Sequence, residues 1–353
     1  MKLKKNLSLP LDEFIDFSLY NKKFGYYMKK NPFGKKGDFI TAPNISRLFS
    51  EMIALWVLSF WKNLGSPKKF NLIELGAGNG EMMKIIIETS KKFPSFFNSC
   101  KFIIHEKSPL LINIQKKKLI GTKIIWVNKI TKLQRIPSVF IANEFFDSLA
   151  IKQFIKRKNL WYEKFINIES KQKSFIFEKK IDILKIKKKV KFNIFKNQNF
   201  VEYSELGLKY FEDICEIIKK NNGGLLLIDY GYAKKKMKNT LKAVSNHKIA
   251  NFLSNIGNVD ITHNINFELY KNFAKQIGGL NFNLTDQKNF LLNMKIKDRA
   301  EIISQNKNFT EKANIYYRLN RLIDEKQMGT LFKVMLIKNK TDKFKLGFEN
   351  DNF

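Results

Sequence analysis

The chemistry-bearing part of this chain begins in the stretch FNLIELGAGNGEMM, where Glu74 is followed by Gly76, Gly78 and Gly80. An apolar run ending in an acid, a turn with glycine at every second position and an amphipathic segment behind it read as strand, tight turn and helix. Glycine there permits positive φ and lets the main chain approach a ligand closely. In an open parallel sheet, ligands lie beyond the carboxyl ends of the strands, where strand order reverses. The pattern is not G-x-G-x-x-G, because Glu81 occupies the last glycine position. That weakens a dinucleotide reading and favours S-adenosylmethionine, which has an amino-acid end and no pyrophosphate. Glu106 closes the run FIIHE, 30 residues after Gly76, where a carboxylate can accept hydrogen bonds from both ribose hydroxyls. The plainer alternative is a tight turn followed by a solvated strand end. The turn and the acid together, each on its own strand, favour a bound adenosyl cofactor over either element taken alone.

A second cluster lies in ANEFFDSLAIKQF, where Asn143, Glu144 and Asp147 follow another apolar run. Asn143 is placed with the cofactor edge. Glu144 and Asp147, two carboxylates beside a methyl donor, suit a cation, and a planar guanidinium is their natural bidentate partner. They would orient a nitrogen toward the methyl carbon and take up the released proton, with positioning supplying most of the rate. The alternative is that both acids cap the next helix. Asp229 and Tyr230 mark a further strand end in LLLIDYGY, and GNVDITHNINF gathers Asp260, Thr262 and His263. His263 is read as a catalytic proton acceptor, since imidazole titrates near neutrality; the competing reading is structural, as it is for His105 and His247. No cluster has metal-ligand spacing, so no metal is expected.

These residues need a scaffold. FNLIEL (70–75), KFIIHE (101–106), TKIIWV (122–127) and SVFIAN (138–143) read as buried strands. EMMKIIIETSKKF, closed by Pro94, and SPLLINIQKKKL, with Ser108 as N-cap and Pro109 in the first turn, read as the helices between them. This rhythm predicts a parallel sheet with right-handed crossovers. The expected class is α/β, with a mainly parallel sheet, an antiparallel β insertion and additional helices.

Residues 1–69 read as a helical segment, without a clear strand run, packing over the cofactor site. Residues 70–150, 201–240 and 325–340 form the cofactor-binding core. Residues 151–200 alternate apolar and polar at period two, through KKVKFNIFK, with RKN at 157–159 as a hairpin turn: an antiparallel insertion. A helix over ELGLKYFEDICEIIKKNNGG is expected to end at Gly223 and Gly224. Residues 241–324 read as a mostly helical insertion on the substrate side, before a last strand at 330–338.

Composition bounds the partners. The 353 residues carry 65 Lys and Arg against 32 Asp and Glu, a net charge of +33. Only six of the basic residues are Arg, and the KKK runs at 116–118, 187–189 and 234–236 are dispersed. A solvated lysine surface is favoured over a nucleic-acid footprint, although RNA methylation stays a rival reading. Cys100 and Cys215 cannot build a disulfide framework. No apolar run reaches the ~18 residues of a membrane helix, and Pro10, Asp12 and Glu13 interrupt any signal-peptide core. The expectation is a cytoplasmic chain without a membrane span, of undetermined oligomeric state.

The blocks GDFITAP, ELGAGNGEMM, IANEFFDSLAIKQF, LLLIDYGYA, GNVDITHNINF and MGTLFKVML recur in this order in the MidA-type family, which the chain resembles from about Gly25 to Leu336. The resemblance implies an S-adenosylmethionine-dependent methyltransferase with a Rossmann-like fold. Mitochondrial members assist assembly of respiratory complex I and are linked to arginine dimethylation of one of its subunits. It therefore implies a protein substrate, a complex I subunit where the organism has one; an assembly chaperone without catalysis is the other reading. It also brings Asp38 to the cofactor site. Phe39 from the same block, and Tyr26 and Tyr27 in GYYMKKNPFGKK just before it, could line a cation with their ring faces or simply pack in the core, the favoured reading for Phe39. Two departures stand out. The family turn runs E-L-G-P-G-R-G-T, whereas Ala77, Asn79 and Glu81 stand here, and Asn44 replaces the acid of the family's APEIS.

Overall fold

The computed structural model describes residues 7–34, 37–38, 41–169, 174–190, 192–245, 248–253 and 255–349. At its centre an 8-stranded sheet has the wholly buried strand Phe70–Leu75 in its interior. Strands Cys100–His105 and Ile124–Val127 extend it in parallel on one side, and Ser138–Asn143 and Gly223–Tyr232 in parallel on the other. Phe332–Asn339 and then Leu280–Asp286 complete that second side with antiparallel pairings. The expected α/β, Rossmann-like class with a mainly parallel sheet holds. Strand order reverses between Phe70–Leu75 and Ser138–Asn143, so a crevice opens where Gly76 and Glu144 leave the sheet.

The strands read as continuous apolar runs because both faces are covered. Leu72, Ile104, Val139, Ile141, Leu226 and Ile228 pack in one layer with helices Arg47–Asn63 and Glu81–Ser90. Their neighbours Ile73, Ile103, Phe140, Leu225 and Leu227 pack in the other, with helices Glu205–Asn221 and Phe267–Ile277. Helix Pro109–Lys118 begins as its sequence predicts, with Ser108 Oγ accepting from the Leu111 N–H at 3.2 Å. Lys158 and Asn159 both take positive φ and join Lys152–Arg157 to Leu160–Ile168 in an antiparallel hairpin. Among the described residues no helix is long and apolar enough to cross a membrane.

Several segments differ from expectation. Residues 1–69 do contain a strand, Leu7–Pro10, which pairs antiparallel with Leu160–Ile168; four residues are too few to show a period. The described residues of KKVKFNIFK form no strand: helix Ile183–Val190 takes its beginning, because Ile183, Ile186 and Val190 reach the second layer at helical spacing. Pro94 opens a short helix, Pro94–Ser99. Asn222, at φ 67, ends the helix before Gly223 and Gly224, which instead begin the next strand. A Cβ on Gly223 would lie 1.8 Å from the Ser138 carbonyl oxygen, so close strand packing explains this glycine. Lys242–Ser245, Lys248–Ile249 and Asp260–Thr262 form a small three-stranded sheet, while Leu280–Asp286 joins the main sheet as its edge.

Candidate functional site

The crevice holds a cavity of about 740 Å³ whose walls include Gly76, Gly78, Glu106, Glu144, Asp147 and Asp260. Gly76, Gly78 and Gly80 all take positive φ (65, 52 and 78), which licenses three glycines in one turn. A Cβ on Gly76 would lie 2.8 Å from the Phe145 ring, and one on Gly78 3.3 Å from Phe33. The loop is thus a bare main-chain surface between two aromatic rings.

Glu74 lies beneath this loop, fully buried. Burial, and then the nearby Glu106 charge, push its carboxyl up to about 8, while a hydrogen bond from the Met83 N–H opposes them. Its Oε2 has no partner, nor has Asn143 Oδ1. Both residues line a recess of about 40 Å³ that shares Gly76 and Gly78 with the cavity. Two buried acceptors without donors call for a donor-rich group, and the ammonium of an amino-acid end fits. Glu106 lines the cavity as expected. Its Oε1 accepts from the Lys107 and Ser108 N–H groups, both at 2.9 Å, and Oε2 from Gln115 Nε2 at 3.2 Å. The capacity left for a ribose hydroxyl is therefore mainly on Oε2. The residues present fit S-adenosylmethionine: loop and recess for its amino-acid end, Glu106 for its sugar. His105 is structural, as expected, but also shapes the wall. Its Nδ1 faces the Val127 carbonyl at 3.1 Å and its Nε2 the Tyr210 hydroxyl at 3.0 Å.

The second half of the site is a group of acids. Glu144 takes φ 51, uncommon for a residue with a Cβ, and donates its N–H to the Ile228 carbonyl at 2.9 Å. Such strain is retained where surroundings impose it. Its carboxylate accepts from Asn143 Nδ2 at 3.2 Å and from the Ala42 N–H. Burial, and then Asp147, push it up to about 8. Asp147 sits in the 3-10 turn Phe146–Ser148 and accepts from Thr262 Oγ1 at 3.0 Å. Burial raises its pKa, against the pull of His263, Thr262 and Lys242. Neither acid caps a helix.

Asp229 holds the turn itself, Oδ2 accepting from the Phe146 and Asp147 N–H groups at 3.1 and 3.3 Å. Asp260 accepts from the Tyr27 hydroxyl at 2.8 Å and is pushed up to about 7, chiefly by burial. Asp38 accepts from the Tyr26 hydroxyl at 2.5 Å and pairs with Lys30.

The expected site residues thus divide. Gly76, Gly78, Glu106, Asp38, Glu144 and Asp147 line the cavity, and Glu74 and Asn143 line its recess. Gly80 serves as N-cap of helix Glu81–Ser90. His263 is not among the lining residues; its N–H donates to the Asp147 carbonyl at 3.3 Å, and its Nε2 is buried without a partner. Tyr27 lines the cavity, Tyr26 is wholly buried, and Phe39 and His247 fall outside the described residues. Sequence reasoning missed Tyr210, Lys242 and Arg321, which also line it. They come from separate elements with no local motif. The two departures from the family pattern meet: Asn79 Nδ2 donates to Asn44 Oδ1 at 2.9 Å, and Asn44 Nδ2 to Thr41 Oγ1 at 2.8 Å.

Comparison with known proteins agrees with this geometry. Residues 52–284 match the model of a family described as "Putative S-adenosyl-L-methionine-dependent methyltransferase". The protein arginine methyltransferase NDUFAF7 of Xenopus laevis is 28% identical over 94% of this chain and 81% of its own length. The human mitochondrial protein of that name is 26% identical over 94% of this chain and 80% of its own. A crystal structure from Burkholderia thailandensis, bound to S-adenosyl-homocysteine, superposes with a TM-score of 0.84 at 20% identity, covering 98% of this chain and 91% of the other, and so shares the fold. Because the family model spans most of the chain, from the first long helix to the edge strand of the sheet, this protein belongs to that family of S-adenosylmethionine-dependent methyltransferases.

Proposed function

We propose that this methyltransferase acts on the guanidinium group of an arginine in a partner protein. The observation that carries the reading is the acid wall: buried Asp38, Asp147 and Asp260 and half-buried Glu144 line one cavity beside the glycine loop in a chain of net charge +33. Buried carboxylates are costly unless a cation or hydrogen-bond donors compensate them. Burial raises the pKa of Glu144, Asp147 and Asp260, and an arriving guanidinium would return these three to the charged form. The similarity to proteins named arginine methyltransferases supports the same substrate.

The donor supplies a methyl group already activated on a positive sulfur. The chain has then to hold the arginine nitrogen in line and remove one proton per transfer. Glu144 is the proposed acceptor, since Ala42 and Asn143 fix its carboxylate and its pKa lies near neutrality. Asp147, aimed by Thr262, and Asp260, aimed by Tyr27, would hold the guanidinium's remaining N–H groups. His263 has no proposed role in transfer. A complex I subunit is the proposed partner, on the family resemblance alone. The test is incubation of the purified chain with methyl-labelled donor and such subunits, followed by mass spectrometry. Methylarginine is expected. Label in RNA would replace the reading, and tight donor binding without transfer would favour an assembly chaperone.

A further inference from the structure

Two cations interrupt the acid wall. Lys242, on strand Lys242–Ser245, and Arg321, near the end of helix Phe309–Ile323, line the same cavity. Neither has a carboxylate partner within 4.0 Å among the described residues. The Lys242 ammonium lies 4.9 Å from the centre of the Tyr230 ring, and Arg321 is near enough to act electrostatically on the same phenol. Tyr230 follows Asp229 at the end of its strand and also feels the charges of Glu144 and Asp147. The cavity therefore carries both acids and cations around one tyrosine, with Lys242 also acting on Asp147.

A lone guanidinium needs only the acids. A cavity that also offers two cations without a carboxylate in salt-bridge contact suits a ligand bearing a carboxylate next to its guanidinium. The chain as a whole is basic, with 65 Lys and Arg against 32 Asp and Glu, so a lysine-rich segment would be repelled as it approached.

We infer that Lys242 and Arg321 receive carboxylates flanking the target residue, so that the enzyme selects arginines in acidic segments and disfavours those in lysine-rich ones. This inference rests on the arginine reading. The competing source of a carboxylate is the amino-acid end of the methyl donor, and the experiment separates the two.

The full-length chain with S-adenosylmethionine is given three peptides that share one arginine flanked by Glu, Gln or Lys. Methylarginine is located by mass spectrometry and kcat/KM measured. The expected order is Glu, then Gln, then Lys, with steps of roughly fivefold per flanking charge, the reach of one partly exposed ion pair. Lys242→Gln and Arg321→Gln are expected to flatten the order, and Lys242→Glu or Arg321→Glu to reverse it. Affinity for S-adenosylhomocysteine, measured by calorimetry, should stay unchanged in all four. Equal rates on the three peptides overturn the inference, as does an order that survives all four variants. Weakened S-adenosylhomocysteine binding with the order intact assigns the cations to the donor instead. If no peptide is methylated on arginine, the arginine reading falls and this inference with it.

Discussion

At the scale of single residues, Glu144 carries the most specific expectation. It sits in a left-handed conformation, fixed by the Ala42 N–H and Asn143, with its carboxyl pushed up to about 8. Glu144→Gln keeps the shape and removes the base. Transfer should fall by roughly 100-fold or more, the usual reach of a positioned base, while S-adenosylhomocysteine still binds; unchanged turnover would remove Glu144 from the chemistry. Since the deprotonated form must accept the proton, kcat/KM should rise with pH, reach half its limit at about pH 8 and level about one unit above that. Stability runs the other way. Glu74, Glu144 and Asp260 have folded pKa values above their unfolded ones. Their contribution is complete below the ordinary carboxylate range and is lost as pH rises through about 7 to 8. The melting temperature should therefore decline from about pH 5 to about pH 9, and less steeply in Glu144→Gln. The same decline in both proteins would mean that Glu144 does not titrate there.

At the scale of elements, a strand end, a turn and a short helix are tied together. The glycine loop reaches the acids through Asn79, Asn44 and Thr41, followed by the Ala42 N–H on Glu144. Asn79→Ala should cost about 1 kcal/mol of stability, the worth of one such hydrogen bond, and weaken S-adenosylhomocysteine binding several-fold in calorimetry. An unaltered Kd would show that the link is structural only. Gly223→Ala is a contrasting case. Its Cβ would collide with the Ser138 carbonyl far from the cavity, so loss of soluble folded protein is the expected outcome, read by circular dichroism. Elements with long apolar runs or clear caps were legible in the chain itself: FNLIEL and SVFIAN became strands with the predicted bounds, and Ser108 caps its helix. Leu7–Pro10 and Leu280–Asp286 were not, because a short or half-polar strand is stabilised by the partner it pairs with.

At the scale of the molecule, an acid cavity lies inside a basic shell. The 65 basic residues outnumber the 32 acidic ones, so self-repulsion should be measurable. Adding salt up to about 0.2 M, where the screening length falls below ~10 Å, should raise the melting temperature. A fall would show that the exposed ion pairs, such as Arg157 with Glu178, outweigh the repulsion.

The sequence by itself determined the α/β alternation, the glycine turn behind Glu74, and the acids at Glu106, Glu144 and Asp147. Each is carried by neighbours within a few positions, where periodicity and turn chemistry act. Only the tertiary structure decided which of these face one cavity. It drew Asp260 and Tyr27 together across more than half the chain, left His263 off the cavity wall, and brought in Tyr210, Lys242 and Arg321. The physical reason is that side chains meet across a sheet's carboxyl edge through strand order and crossover connections, and neither leaves a pattern in any short window of sequence.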